Sequence, residues 1–168
     1  MEYRLVRKED AKALLDYKKH VYDESEFLSR ASEEYNYSVE EEVQGVEKIN
    51  ATENALTWLA LEDEKVVGCL NIRPDTLSRL KHSASIGVSV RKAYRGQGIG
   101  KALMNKAIAF FEESTLHRLE LTVVRENDRA VTLYKKLGFE EEGILREAIK
   151  INDCYFDMIS MAMIKKEK

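Results

Sequence analysis

The stretch "RGQGIG", Arg95 to Gly100, puts three glycines into five residues between the alternating run "IGVSV" and the helix-like "KALMNKAIAFFEES". A strand that ends in such a turn and opens into a helix makes an anion site, because the first backbone N–H groups of a helix have no internal partner and point outward. The helix dipole adds attraction for negative charge. Gly96, Gly98 and Gly100 let a phosphate approach the backbone, and Arg95 adds a charged contact. Spacing disfavours two nucleotide loops. Walker A wants a glycine where Arg95 stands and Ser or Thr where Ala102 stands, and the dinucleotide fingerprint wants a glycine where Lys101 stands. A helix entry that merely turns sharply is the competing structural reading.

Downstream, "VVRENDRAVTLYKKLGFEEEG" sets Asn127 and Tyr134 seven residues apart, two helical turns, so that they share nearly one face. Arg95-x-x-Gly98-x-Gly100 after a strand, followed by Val123-x3-Asn127-x2-Ala130-x2-Leu133-Tyr134-x3-Gly138-Phe139, resembles the acetyl-CoA signature of the Gcn5-related N-acetyltransferase superfamily. The tail "EGILREAIKINDCYFDMISMAM" is similar, more loosely, to the branch of ribosomal-protein and polyamine acetyltransferases. The resemblance implies that Val88, Ser89 and Val90 offer backbone groups to the pantetheine arm. It implies that Arg95, Gly96, Gln97, Gly98, Ile99, Gly100 and Lys101 wrap the pyrophosphate, that Asn127 touches the cofactor, and that Tyr134 faces the sulfur. Acetyl-CoA is then the co-substrate and a primary amine the acceptor.

The chemistry has its own requirements. An alkyl ammonium with pKa ~10.4 must lose a proton before it can attack, which costs roughly 4.6 kcal/mol at pH 7. The departing thiolate, with pKa ~8.5, can take a proton or a hydrogen bond from a phenol of pKa ~10, the role expected of Tyr134. The general base is less legible. Relatives of the resembled family place a glutamate near the position held here by Ser85. Glu120 alternates away from Leu119, Leu121 and Val123, so it faces either a site or water. Asp157 shares a strand face with Tyr155, Ile159, Met161 and Met163, a setting that would raise its pKa, although an edge contact or salt bridge competes with catalysis.

The elements that must position these residues follow from periodicity. "EYRLVR" reads as a strand, and Asp10 caps a helix to about Tyr22. Ser38 and Glu41 form a capping box for a helix from Val39 to about Ile49. "ALTWLALE" and "KVVGCLNIR" are strands joined by the turn "DEK", and "SASIGVSV" is a third. Ile99, Ala102, Leu103, Ala107 and Phe110 recur at helical spacing. "LELTVV" is a strand, Asp128 to Leu137 a short helix with Gly138 past its end, and Gly143–Ile151 and Tyr155–Ile164 are strands flanking the turn "ND". The expectation is an α/β (α+β) fold, one domain over residues 1–168, with a mixed, mostly antiparallel sheet of about seven strands flanked by about four helices.

Composition narrows the partners. A net charge of -3 gives no electrostatic reason to expect nucleic acid, and no apolar run approaches the roughly 18 residues of a membrane span. Without a signal-like N-terminus the expected location is cytoplasmic. Cys69 and Cys154 lack CxxC spacing and read as buried small hydrophobes, and His20, His82 and His117 have no ligand spacing, so no metal site is expected. Between Tyr22 and Glu47 nine Asp or Glu accompany a single basic residue, Arg30, which suggests either a solvated face or recognition of a cationic acceptor such as a polyamine, a small aminated metabolite or a peptide N-terminus. A homodimer through the apolar C-terminal strand follows from the resemblance. The alternative to an enzyme is a non-catalytic acetyl-CoA sensor.

Overall fold

The computed structural model describes residues 1–166, the side chain of Ser32 excepted. Strand β1 (Glu2–Leu5) leads into helix α1 (Ala11–Glu24) and then α2 (Val39–Asn50). Strands β2 (Leu56–Glu62), β3 (Lys65–Pro74) and β4 (Ser83–Val90) follow, then α3 (Ile99–Glu113), β5 (Arg118–Val124), α4 (Asp128–Lys136), β6 (Glu140–Ile151) and β7 (Cys154–Ile164). The seven strands lie in the order β1-β2-β3-β4-β5-β7-β6. All neighbours are antiparallel except β4 and β5, which run parallel. This is the mixed sheet with four helices that the sequence predicts.

Local rules account for the boundaries. The Ser38 hydroxyl accepts from the Glu41 amide at 3.2 Å while the Glu41 carboxylate accepts from the Ser38 amide at 2.8 Å, closing the capping box of α2. Asp63 and Glu64 (φ 48° and 65°), like Asn152 and Asp153 (φ 48° and 63°), take the left-handed conformation that a two-residue hairpin turn needs. Asp10 sits at the start of α1 but does not cap it with its side chain. Its carboxylate accepts instead from the Arg7 amide at 2.7 Å and from both Arg4 Nη atoms at 2.6 and 2.7 Å, because a 3-10 turn over Lys8–Asp10 points it back at β1.

The sheet is covered on both faces. Leu103, Met104, Ala107 and Phe111 of α3 are fully buried against one, while Leu14, Tyr17, Val21 and Val46 from α1 and α2 are buried on the other. Gly68 sets how closely α3 approaches. A Cβ there would lie 3.0 Å from the Ile99 side chain and 3.2 Å from Leu103, so any larger residue would push the first turn of α3 away from β3 by a few tenths of an ångström. Cys69 is buried as expected, but Cys154 is exposed, because it opens β7 at the tip of the β6–β7 hairpin, beyond the covering helices.

Candidate active site

The parallel ladder between β4 and β5 is short. Ser83, Ala84 and Ser85 pair with Arg118, Leu119 and Glu120, and beyond them the strands part. Since the Arg91 amide bonds the Val67 carbonyl in the antiparallel alternation with β3, the backbone groups of Ser89 and Gly87 face β3 as well. Those of Val88 and Val90 therefore face the gap. The Val90 carbonyl already accepts from Arg95 Nε at 3.1 Å, which folds that side chain across the loop and leaves its two Nη groups to spare. Ser89 contributes its side chain elsewhere, sharing a 2.9 Å hydrogen bond with the Tyr17 hydroxyl.

The glycine turn lies at the mouth of this gap. Gly96 and Gly98 have φ of 89° and 81°, values that L side chains rarely adopt. Gly98 is the N-cap of α3, and its carbonyl accepts from the Ala102 amide at 2.9 Å. The amides of Ile99, Gly100 and Lys101 are consequently the unpaired donors of a 15-residue helix. Gln97 donates to the Ala93 carbonyl at 3.3 Å and steadies the turn. A residue that sequence reasoning missed completes the cradle: Arg129, whose Nη2 lies 3.8 Å from the point where a Gly96 Cβ would stand. A cation in the first turn of α4 opposes the helix dipole, and that placement was the available signal.

Tyr134 is buried, 9% exposed, with its ring 6.0 Å from that of Phe139. Burial alone pushes its phenol up to about 12. Asn127, on the same helix, is the N-cap of α4: its side-chain oxygen accepts from the Ala130 amide at 3.3 Å. Both residues line one cleft of about 1380 Å³ together with Val88, Val90, Gly98 and Lys101.

The two candidate bases are held elsewhere. Glu120 lies where β4 and β5 are still paired, and it accepts from Arg118 Nε at 2.6 Å. The same guanidinium makes two bonds to Glu142 at 2.7 and 2.5 Å, so Glu120 belongs to a surface ion cluster outside the cleft lining. Asp157 has polar partners rather than the apolar surroundings expected. The β6 ladder shifts register between Leu145 and Ile149, and this brings the Glu147 amide to 2.9 Å from Asp157 Oδ1 while Arg125 lies 3.6 Å from Oδ2. The Ser85 hydroxyl donates to the Arg73 carbonyl at 3.4 Å.

The opposite end of the cleft is walled by α1, α2 and their connection. Buried Glu42 accepts from the Tyr35 hydroxyl at 2.5 Å and pairs with Lys18, fastening α2 to α1. Burial and that donation to a carboxylate drive the Tyr35 phenol far above its ordinary value. Tyr22, Phe27, Leu28 and Tyr37 add an aromatic and apolar shelf. The acidic segment does not converge here. Of its nine carboxylates only Glu41 and Glu42 line the cleft. Glu24 turns outward to the Lys92 amide at 2.8 Å and to Arg91, and these contacts hold its carboxyl below the usual range although burial opposes ionisation. Among the described residues no group of three or more His, Cys, Asp or Glu could hold a metal ion, and no helix is long and apolar enough to cross a membrane.

Comparison with known proteins bears on the fold and the family. An L-amino acid N-acetyltransferase of Escherichia coli is 35% identical over 108 residues, 64% of this chain and 67% of that protein. A spermidine N(1)-acetyltransferase of Vibrio cholerae is 33% identical over 92 residues, 54% of this chain and 53% of that one. The crystal structure of an acetyltransferase of the GNAT family from Streptococcus pneumoniae superposes with a TM-score of 0.95 at 30% identity, covering 98% of this chain and 99% of the other. A Salmonella typhimurium protein determined with acetyl-CoA shares the fold, with a TM-score of 0.88 at 16% identity, covering 100% of this chain and 95% of the other. Residues 20–139, from α1 through the end of α4 to Phe139, match the acetyltransferase (GNAT) family, and the chain belongs to that family.

Proposed function

We propose that the protein transfers the acetyl group of acetyl-CoA to a primary amine that enters from the α1–α2 side, with Tyr134 assisting departure of the sulfur. The observation that carries this reading is the meeting, in one cleft, of an unpaired helix N-terminus, unpaired strand backbone and a buried phenol. The residues present fit the donor. Amides 99–101 with Arg95, Lys101 and Arg129 match a pyrophosphate, and the gap-facing groups of Val88 and Val90 match a pantetheine amide. When bound, acetyl-CoA would supply a thioester: the C–N bond to the amine forms, the C–S bond breaks, the thiolate leaves, and the second nitrogen proton, shed as the amide forms, passes through water to that sulfur.

Tyr134 then acts mainly as a hydrogen-bond donor. Moving its proton fully from a phenol that burial holds at about 12 to a thiolate of pKa ~8.5 would be uphill by several kcal/mol, whereas a hydrogen bond to the developing charge costs nothing of that kind. The amine proton leaves before attack, to water in the open cleft, since Glu120 and Asp157 are engaged outside it. The relatives' names span amino acids and spermidine. Release of free CoA thiol from acetyl-CoA across amines, amino acids and short peptides tests the proposal. Amine-dependent release supports it; tight acetyl-CoA binding with no release from any acceptor would instead favour a sensing role.

A further inference from the structure

The acceptor end of the cleft carries three cations, Lys18, Arg30 and Arg73, against two carboxylates, Glu41 and Glu42. Glu41 is occupied by the Ser38 capping box, and Glu42 by Lys18 and Tyr35. Arg30 lies over the Tyr35 ring, 5.6 Å from its centroid. Among the described residues neither Arg30 nor Arg73 has a carboxylate within ion-pair distance.

Arg73 is also held in place. The hydroxyl of Thr57, only 2% exposed, donates to Asn71 Oδ1 at 2.8 Å, and the same oxygen accepts from Arg73 Nη2 at 3.3 Å. That relay uses one edge of the guanidinium and leaves the remaining N–H donors uncommitted. Solvent reaches Arg73 in the free protein, yet the cleft walls already strip enough water to hold its guanidinium below the usual arginine value. An acceptor filling the cleft would complete that dehydration, which is costly for a cation left without a counter-ion. A polyamine would add like charge. A carboxylate would take the free fork of the guanidinium in a charge-assisted pair.

We propose, resting on the acetyl-transfer reading above, that the acceptor is an amine that also bears a carboxylate, an amino-acid-like zwitterion, with Arg73 reading the carboxylate and the shelf of Tyr22, Phe27 and Leu28 taking its apolar part. The acidic segment leaves little charge for recognition: seven of its nine carboxylates are outside the cleft lining, and the two inside it, Glu41 and Glu42, are held by Ser38 and by Lys18 with Tyr35.

The test is a matched-acceptor assay of CoA thiol release, with each L-amino acid run beside its own carboxamide and beside spermidine, and rates expressed per unprotonated amine. The expected result is a kcat/KM for the best amino acid roughly ten- to a hundredfold above both its carboxamide and spermidine. Arg73→Gln should shrink that ratio to within about threefold. Should Arg73→Gln fail to fold, the native ratio decides alone, with Arg73→Lys as the second variant. Carboxamide or spermidine used as well as the acid by the native protein overturns this inference and leaves acetyl transfer standing. A ratio that survives Arg73→Gln in a folded protein overturns the assignment of Arg73. No release with any acceptor overturns both readings.

Discussion

Replacing Tyr134 by Phe removes one oxygen from the molecule and separates chemistry from folding. In the structure that hydroxyl has no protein partner among the described residues, and burial is the sole cause of its raised pKa. The ring, packed near Phe139 and the core around α3, is kept. Folding therefore loses no hydrogen bond within the protein, and because the oxygen is not among the buried unpartnered atoms its removal should change stability by less than about 1 kcal/mol. Turnover should behave otherwise. A donor preorganised toward developing charge is worth about 3 to 4 kcal/mol, so kcat should drop by roughly two to three orders of magnitude. The assay is CoA thiol release at saturating acetyl-CoA, paired with thermal unfolding and direct measurement of acetyl-CoA binding. The expectation is a large loss in kcat, Kd for acetyl-CoA within about twofold, and Tm nearly unchanged. A kcat within threefold of the native value, or a loss that tracks a fall in Tm, would refute the role given to this phenol.

Three further outcomes follow from the same geometry. Because Tyr134 keeps its proton until about 12, its donor function is present across the neutral and alkaline range; kcat/KM should rise tenfold per pH unit up to the acceptor amine's own pKa and show no alkaline fall below pH ~11, and a descending limb near pH 10 that vanishes in Tyr134→Phe would contradict this. Arg129→Ala removes the cation over Gly96 and should weaken acetyl-CoA binding about tenfold with a reduced salt dependence, measured by calorimetry; unchanged affinity would remove Arg129 from the cradle. Gly87 faces the same side of the sheet as Asn71, and a Cβ there would meet no atom within 4 Å, so Gly87→Leu should fold with near-native Tm yet raise acceptor KM at least tenfold while acetyl-CoA affinity holds; unaltered acceptor kinetics would place the amine elsewhere.

The residues by themselves determined a good deal. Glycine spacing between a strand and an amphipathic helix defines an anion turn through purely local physics, since left-handed backbone at Gly96 and Gly98 and unpaired amides at a helix start are properties of a dozen consecutive residues. The capping box at Ser38 and the hairpin turn at Asn152-Asp153 are local in the same way, and both were legible. What only the tertiary structure decided are relations between residues far apart in sequence. Asp157 alternates with apolar neighbours along β7, yet a register shift in β6 delivers the Glu147 amide to it. Glu120 has the right parity to reach a site, but it stands where β4 and β5 are still paired, and Arg118 claims it.

The acidic segment teaches the same lesson with charge. Composition counts nine carboxylates, but direction decides function, and helix packing turns Glu24 outward, closes Glu42 with Lys18 and Tyr35, and leaves Arg73, a single unremarked cation at the end of β3, facing the cleft. Coulombic recognition acts over a few ångströms and is set by which groups remain unpaired after folding, a quantity no count along the chain contains.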